Sequence, residues 1–213
     1  MALSKVNFNS INVTPSASKA IKFNSSNNGL ETGDIGGSLV LISTQTASSS
    51  STIDFTSGID STYKEYIFKF YNIHPNSSDD YFKFQGDTGT NTNYNQTITS
   101  TFFRTTHNEP DSFTDLVYRT GQDQAQGTSF QDLADGVDND ADGSMSGTLH
   151  LFNPADTTFA KHFISTQQFM ASDGSRTTFV AGYFNTTNAI TRIRFKFASA
   201  NIDSGTIKMY GVS

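Results

Sequence analysis

Within residues 190–197, apolar and basic side chains alternate, and this alternation limits the fold more than any other feature of the sequence. The apolar positions are Ile193, Phe195 and Phe197, and the basic positions are Arg192, Arg194 and Lys196. Side chains that alternate with a period of two lie on opposite sides of an extended chain, whereas a helix repeats about every 3.6 residues. The segment therefore predicts a β-strand with one buried face, whose basic face meets water or a partner.

The residues available for a core favour strands throughout the chain. The 213 residues include 19 Phe but only 8 Leu and 3 Glu, and about a third of the chain is Ser, Thr and Asn. Leu and Glu are strong helix formers, whereas Thr and the aromatic residues suit a pleated surface. This composition excludes a helical bundle and is a poor match to a doubly wound α/β fold. The expected class is therefore all-β.

Strand-like segments recur along the chain and are separated by clusters of turn residues. They cover residues 39–42, 53–55, 66–71, 81–84, 94–106, 116–118, 149–152, 159–170, 179–184 and 206–212. Residues 86–89 predict a turn, and residues 128–134 are a window for one helical turn. About eight to ten strands with polar turns predict a jelly-roll-like antiparallel β-sandwich.

The sequence pattern changes at Gly36-Gly37, which predicts a division into residues 1–37 and residues 38–213. The first segment has scattered apolar residues and a dense loop signal at residues 24–29. We expect it to form an extended N-terminal arm that serves assembly or attachment by adding strands to a neighbour's open sheet edge. The alternative is that it supplies a first strand to the β-sandwich of residues 38–213.

Charge and composition exclude several functions. The formal net charge of −6 argues against a general nucleic-acid-binding protein, because such proteins need a basic face. The chain has no Cys, so disulfides and thiolate metal ligands are excluded. No apolar run approaches the roughly 20 residues of a membrane helix, and the polar N-terminus predicts no signal peptide. We therefore expect neither nucleic acid nor a membrane among the partners.

The clearest ligand-like motif is Asp138-Asn139-Asp140-Ala141-Asp142-Gly143. Carboxylates at its first, third and fifth positions, followed by glycine, match the beginning of a calcium-binding loop. The match then ends, because Leu149 stands where the bidentate Glu belongs. Two interpretations stay open, a calcium site at Asp138, Asp140 and Asp142 or an acidic turn in water, and no cofactor is expected to be required.

No arrangement of catalytic residues stands out. The histidines His74, His107, His150 and His162 are dispersed without metal-binding spacing, and the motif of a serine nucleophile is missing. We therefore predict that the protein is not an enzyme. Tyrosines cluster within residues 63–94. This cluster has two interpretations: most of the rings lie at the margin of the core with their hydroxyls in water, or they form an exposed surface that binds a host glycan.

Several segments together carry a resemblance to a known family. They are residues 51–63, 66–75, 146–154, 180–187 and 204–212, within a match that covers about residues 38–213. These segments resemble virion structural proteins of tailed bacteriophages, especially phages of marine and freshwater bacteria. Residues 19–33 are similar to the openings of phage fibre and appendage proteins.

The resemblance implies a place in the phage particle and carries no catalytic residues. We expect a non-enzymatic virion protein on the particle exterior, either capsid decoration or a tail, neck or fibre component, made in the host cytoplasm. Open sandwiches must hide their edge strands, so we also expect a homo-oligomer, such as a trimer, that contacts other virion proteins. The alternatives are a host-glycan-binding fibre tip and a secreted carbohydrate-binding module.

Overall fold

The computed structural model describes residues 19–26, 28–34 and 38–212, and the chain divides into two units with the boundary after Ser38. The first unit contains β1 (Lys19–Phe23) and β2 (Leu30–Asp34). The strands of the second unit are β3 (Leu39–Thr46), β4 (Ile53–Phe55), β5 (Glu65–Pro75), β6 (Asp80–Thr88), β7 (Ile98–Asn108), β8 (Thr114–Tyr118), β9 (Gln131–Val137), β10 (Met145–Phe152), β11 (Lys161–Ala171), β12 (Gly174–Phe184), β13 (Ile190–Phe197) and β14 (Ile202–Val212). The described ranges contain no helix, and hence none long and apolar enough to cross a membrane.

In the first unit, β1 and β2 pair as an antiparallel hairpin whose turn coincides with the predicted loop at residues 24–29. Its large apolar side chains, Ile21, Phe23 and Leu30, are exposed. A lone two-stranded hairpin is at best marginally stable in water. Residues 1–18 lie outside the described residues, and the attachment role of the N-terminal arm stays a prediction.

The second unit consists of two antiparallel sheets packed face to face, which confirms the predicted all-β sandwich. The larger sheet has eight strands in the order β3-β14-β5-β10-β11-β12-β7-β8, and the smaller sheet has four in the order β4-β13-β6-β9. Alternate residues of most strands are buried between the sheets. This arrangement is compatible with a jelly-roll-like sandwich.

Phe195, in the middle of β13, lies at the centre of the core. Its ring packs against phenylalanine rings of both sheets at centroid distances of 5.2 to 6.4 Å, namely Phe68 and Phe70 in the larger sheet and Phe55, Phe82 and Phe84 in the smaller one. Ile193 and Phe197 are also fully buried, as the alternation of residues 190–197 predicted. Edge-to-face ring packing stabilises the fold beyond the area that it buries.

Two local predictions were wrong. Residues 86–88, which were expected in a turn, continue β6. Gly86 stands in this strand because the buried ring of Phe184 leaves no room for a side chain: a Cβ at Gly86 would lie 2.9 Å from that ring. The expected helical turn at residues 128–134 is instead largely β9. All residues of β9 are buried, so the strand shows no alternation between polar and apolar side chains.

Candidate interaction surface

The outward face of five neighbouring strands in the larger sheet contains no Asp, Glu, Lys or Arg. These strands are β10, β11, β12, β7 and β8, and their alternate residues point away from the core. We name this surface the uncharged face. Its side chains are polar, aromatic or aliphatic. They are Ser146, Thr148, His150 and Phe152 in β10, His162, Ile164, Thr166, Gln168 and Met170 in β11, Ser175, Thr177, Phe179, Ala181 and Tyr183 in β12, Thr99, Thr101, Phe103, Thr105 and His107 in β7, and Thr114, Leu116 and Tyr118 in β8.

The strand register places aromatic side chains next to one another on the uncharged face. Phe103 pairs with Phe179 on one side and with Tyr118 on the other, and residues opposite each other on antiparallel strands share a face. The rings of Phe103 and Phe179 stack at a centroid distance of 5.1 Å and an interplanar angle of 17°. Ile164 and Leu116, on the same face, are 52% and 71% exposed. Large apolar side chains therefore meet water across several strands.

A shallow groove crosses the uncharged face and has a volume of about 510 Å³. Its outward-pointing lining includes Thr99, Thr101, Phe152, Ile164 and Tyr183. Aromatic and aliphatic side chains interspersed with hydroxyl groups are typical of surfaces that bind a protein or an uncharged ligand.

Charged side chains begin at the borders of the uncharged face. Next to β10, Glu65 of β5 lies 2.6 Å from Nδ1 of His150. Beyond the other border, Asp123 accepts a hydrogen bond of 2.6 Å from the hydroxyl of Tyr118, and this bond raises the pKa of the phenol. An apolar centre with a polar rim is the usual anatomy of a protein interface.

The outward face of the smaller sheet carries charges, and those of Arg194 and Lys83 are paired with carboxylates of the same chain. The guanidinium of Arg194 donates two hydrogen bonds to the carboxylate of Asp54, at 2.7 and 2.6 Å, and lies 4.1 Å from the ring centroid of Tyr94. The hydrogen bonds to Asp54 raise the pKa of Arg194. Lys83 pairs with Asp132 at 2.8 Å. The outward face of β13, predicted to meet water or a partner, therefore meets the rest of its own chain at Arg194.

Residues 89–97, between β6 and β7, pack onto this outward face, and we name them the covering loop. Tyr94 is 2% exposed, and its backbone N donates to the carboxylate of Asp87 over 2.8 Å. The fully buried side chain of Gln85 donates to the carbonyl of Gln96 over 3.0 Å. Two polar residues of β6 thus anchor the covering loop over part of this face.

A buried ion-pair network joins the two sheets near β9. The carboxylate of Asp135 has no exposed surface and lies 2.9 Å from Arg104 and 3.2 Å from Arg119. Arg176 donates to the backbone carbonyl of Asp135 over 3.4 Å. Burial raises the pKa of the Asp135 carboxyl, and the neighbouring guanidinium groups oppose this shift. Because removing one partner of such a network leaves a buried charge unpaired, these residues matter for folding.

The predicted calcium ligands lie in different environments. Asp138 is buried, and its carboxylate accepts hydrogen bonds from the hydroxyl of Ser78, at 2.6 Å, and from the backbone of Asn139, at 2.8 Å. Asp140 and Asp142 are exposed. Among the described residues, no group of three or more His, Asp and Glu side chains is arranged to hold a metal ion. The calcium site stays a prediction that a binding measurement must test.

The structure gathers three of the four histidines on one face and buries two of the clustered tyrosines. His107, His150 and His162 all lie on the uncharged face, on three different strands. Tyr66 and Tyr94 are buried, so the expectation of rings at the core margin with hydroxyls in water was wrong for them. The hydroxyl of Tyr66 donates to the carbonyl of Asp60 over 3.0 Å.

No protein-family model, curated protein or solved structure matches this chain. Its function is therefore inferred from its sequence and its surfaces. The uncharged face was not predicted from the sequence, although a signal was present: alternate residues from Thr99 to His107 and from Ser175 to Tyr183 include no Asp, Glu, Lys or Arg. That signal gains meaning only once the strands are known to be neighbours in one sheet.

Proposed function

We propose that this protein is a non-enzymatic structural protein of a tailed-phage virion, present in many copies on the exterior of the particle. Two independent observations support the proposal. The first is the resemblance of residues 38–213 to virion structural proteins of tailed phages. The second is the uncharged face, which gives the sandwich a surface suited to assembly.

The uncharged face is the observation that carries the proposal. An antiparallel sheet that faces water usually shows polar and charged side chains on that side, whereas interface centres are depleted of charge and enriched in aromatic residues. Phe103, Phe179, Ile164 and Leu116 are each more than a third exposed. Neighbouring exposed apolar side chains of this kind mark interaction sites on many proteins. A structural role that buries this face in an assembly accounts for it directly.

The position in the virion is tested by imaging. Particles of the phage that encodes this chain are purified, and a label attached at residue 213 is located by electron microscopy. The proposal predicts regularly spaced label on the capsid surface or on the tail, neck or fibres, with capsid label indicating decoration. Purified particles that lack the protein would refute the virion role.

One observation favours a second candidate, recognition of a neutral host glycan. The groove on the uncharged face combines the rings of Phe152 and Tyr183 with the hydroxyls of Thr99 and Thr101. Aromatic rings beside polar groups suit a sugar ring, which has one apolar side. Binding on a glycan array that is lost in Tyr183→Ala, with retained folding, is the result that this candidate requires.

A further inference from the structure

We propose that the uncharged face is the contact surface between two copies of this chain, packed face to face around a two-fold axis. The inference rests on the proposed structural role and names the partner of the surface on which that role depends. It follows from the chemistry that the opposing surface must have, from the charge of the chain and from the area available.

The opposing surface must itself lack charge at its centre. A Lys, Arg, Asp or Glu desolvated against Phe179 and Ile164 would lose its hydration without gaining a partner, which is costly. Elsewhere on the chain, the outward face of the smaller sheet carries Arg192 and Lys196, and the hairpin carries the ion pair between Lys22 and Glu31. Of these three surfaces in the described part of the chain, the one that fits the uncharged face is therefore the same face of a second copy.

The net charge of the chain also favours contact between two copies through the uncharged face. Two copies that each carry a net charge of −6 repel each other, and an interface that brought carboxylates together would strengthen the repulsion. Contact through the uncharged face keeps charged groups such as Glu65 and Asp123 at the rim, where water screens them. Such a contact therefore adds little to the electrostatic repulsion between two acidic copies.

The area of the uncharged face matches what a specific interface needs. Five strands spaced about 4.8 Å apart, each contributing up to nine residues of about 3.3 Å, present on the order of 600 Å² per copy. Specific interfaces begin at about 600 Å² per partner. Sheets pack readily face to face, and a two-fold contact uses the same patch on both copies, so that it closes as a dimer instead of growing into a filament.

Sedimentation equilibrium of the full-length chain tests the inference. The test substitutions are Thr101→Lys and Thr101→Glu, because Thr101 is exposed, pairs with Ala181 and lines the groove. The matched control is Thr46→Lys, since Thr46 is an exposed strand residue of the same sheet that lies outside the uncharged face. Circular dichroism and thermal melting verify that each variant is folded.

We expect the wild type to dimerise at micromolar concentrations and both Thr101 variants to raise the dissociation constant at least about thirtyfold, because each dimer would bury two added charges. The lysine variant is the sharper of the two: it reduces the net negative charge, so weaker association cannot come from general repulsion. Thr46→Lys should leave the dissociation constant unchanged.

Other outcomes overturn the inference in distinguishable ways. A wild type that stays monomeric at about 100 μM, well above the dissociation constants of most specific complexes, would show that the face meets a different partner, while the virion role would still be decided by particle imaging. Dimers lost in Thr46→Lys but kept in the Thr101 variants would place the contact at the β3 edge. Loss of dimers in Phe23→Asp would identify the hairpin as the segment that meets the second copy.

Discussion

The two outward faces of the sandwich differ in how they are completed. On the smaller sheet, the covering loop places Tyr94 against Arg194, and Asp54 pairs the remaining charge of that guanidinium. On the larger sheet, no described segment of the chain packs over Phe103 and Phe179, whose rings stack on each other and remain more than a third exposed.

The two faces therefore differ in whether the described part of the chain packs over them. On the face that the covering loop packs against, the charges of Arg194 and Lys83 have bonded partners in the same chain, which offset the cost of their partial burial. The uncharged face carries no charges that would need such partners. It can therefore be buried against a second surface without leaving an ion unpaired, which is the property of an assembly surface.

The largest expected effect is a difference in stability between substitutions on the two faces. Tyr94→Ala should lower the free energy of unfolding by about 3 kcal/mol or more, because a buried ring and its contact with Arg194 are lost. The matched substitution Tyr118→Ala, on the uncharged face, should cost less than about 1 kcal/mol at a concentration low enough for the proposed dimer to dissociate. Urea denaturation measures the free energy of unfolding of both variants. Equal losses would contradict the conclusion that Tyr94, unlike Tyr118, is packed into the fold.

A smaller effect is expected at the turn that follows β13. The carboxylate of Asp80 accepts hydrogen bonds from the backbone of Tyr81, Ala198, Ser199 and Ala200. Asp80→Asn should therefore cost about 2 kcal/mol at neutral pH, because one acceptor oxygen becomes a donor facing these N–H groups. Urea denaturation at pH 7 measures this loss, and a variant as stable as the wild type would show that the turn holds without the carboxylate.

The same carboxyl predicts a pH dependence. Burial alone raises the pKa of Asp80, but the hydrogen bonds from Ala200, Ser199 and Tyr81 outweigh burial and hold the pKa below its usual value of 3.8. A lowered pKa means that the ionised carboxylate stabilises the fold above the unfolded-state pKa of about 3.9 and that this contribution is lost as the pH falls through the folded-state value. The stability gap between wild type and Asp80→Asn should accordingly narrow below about pH 4. A gap that stays constant between pH 7 and pH 3 would contradict the lowered pKa.

A modest effect is expected for the ion pair on the closed face. Asp54→Ala should destabilise the protein by about 1–2 kcal/mol, since Arg194 loses a bidentate partner but keeps its contact with Tyr94. The control is Asp123→Ala at the rim of the uncharged face, which should change stability by less than about 0.5 kcal/mol. A larger loss at Asp123 than at Asp54 would reverse the contrast between the two faces.

The smallest effect is expected at the acidic turn of residues 138–143, which belongs to neither face. Saturating calcium should leave the melting temperature unchanged in the wild type and in Asp140→Ala, because Asp138 is bonded to Ser78 while Asp140 is exposed. A ligand that binds only the folded state at a hundredfold excess over its dissociation constant adds about 2.7 kcal/mol. A clear rise in melting temperature in the wild type, absent from Asp140→Ala, would establish the calcium site instead.

Much of the fold was visible in the sequence because strand faces are local. The bounds of β13 coincide with the predicted residues 190–197, and the burial of Phe195 follows from its place in the alternation. β9 was not recognised, because Gln131 and Asp135 are polar residues that point inward, where Ser100 and Arg104 bind them. Contacts between residues so distant in the chain leave no trace in a local pattern.

The surfaces were harder to predict, since they depend on which strands become neighbours. Phe103 and Phe179 are far apart in sequence, and the register of β7 with β12 alone places their rings together. Tyr94 was expected to begin a long strand over residues 94–106, but it lies in the covering loop and β7 begins at Ile98. The basic face of β13 was foreseen, whereas its partners in the chain were not.

Hydroxyl-radical footprinting at increasing protein concentration tests the contrast between the two faces most directly, because it compares them in one sample. The uncharged face is followed at Phe103, Phe179 and Ile164. The outward side of the smaller sheet is followed at Tyr81 of β6 and at Phe130, whose ring lies beside Lys196 of β13. We predict that oxidation on the uncharged face falls severalfold between dilute protein and protein well above the dimer dissociation constant, while oxidation at Tyr81 and Phe130 stays constant. Equal oxidation at all concentrations, or protection of Tyr81 instead of Phe179, would contradict the account.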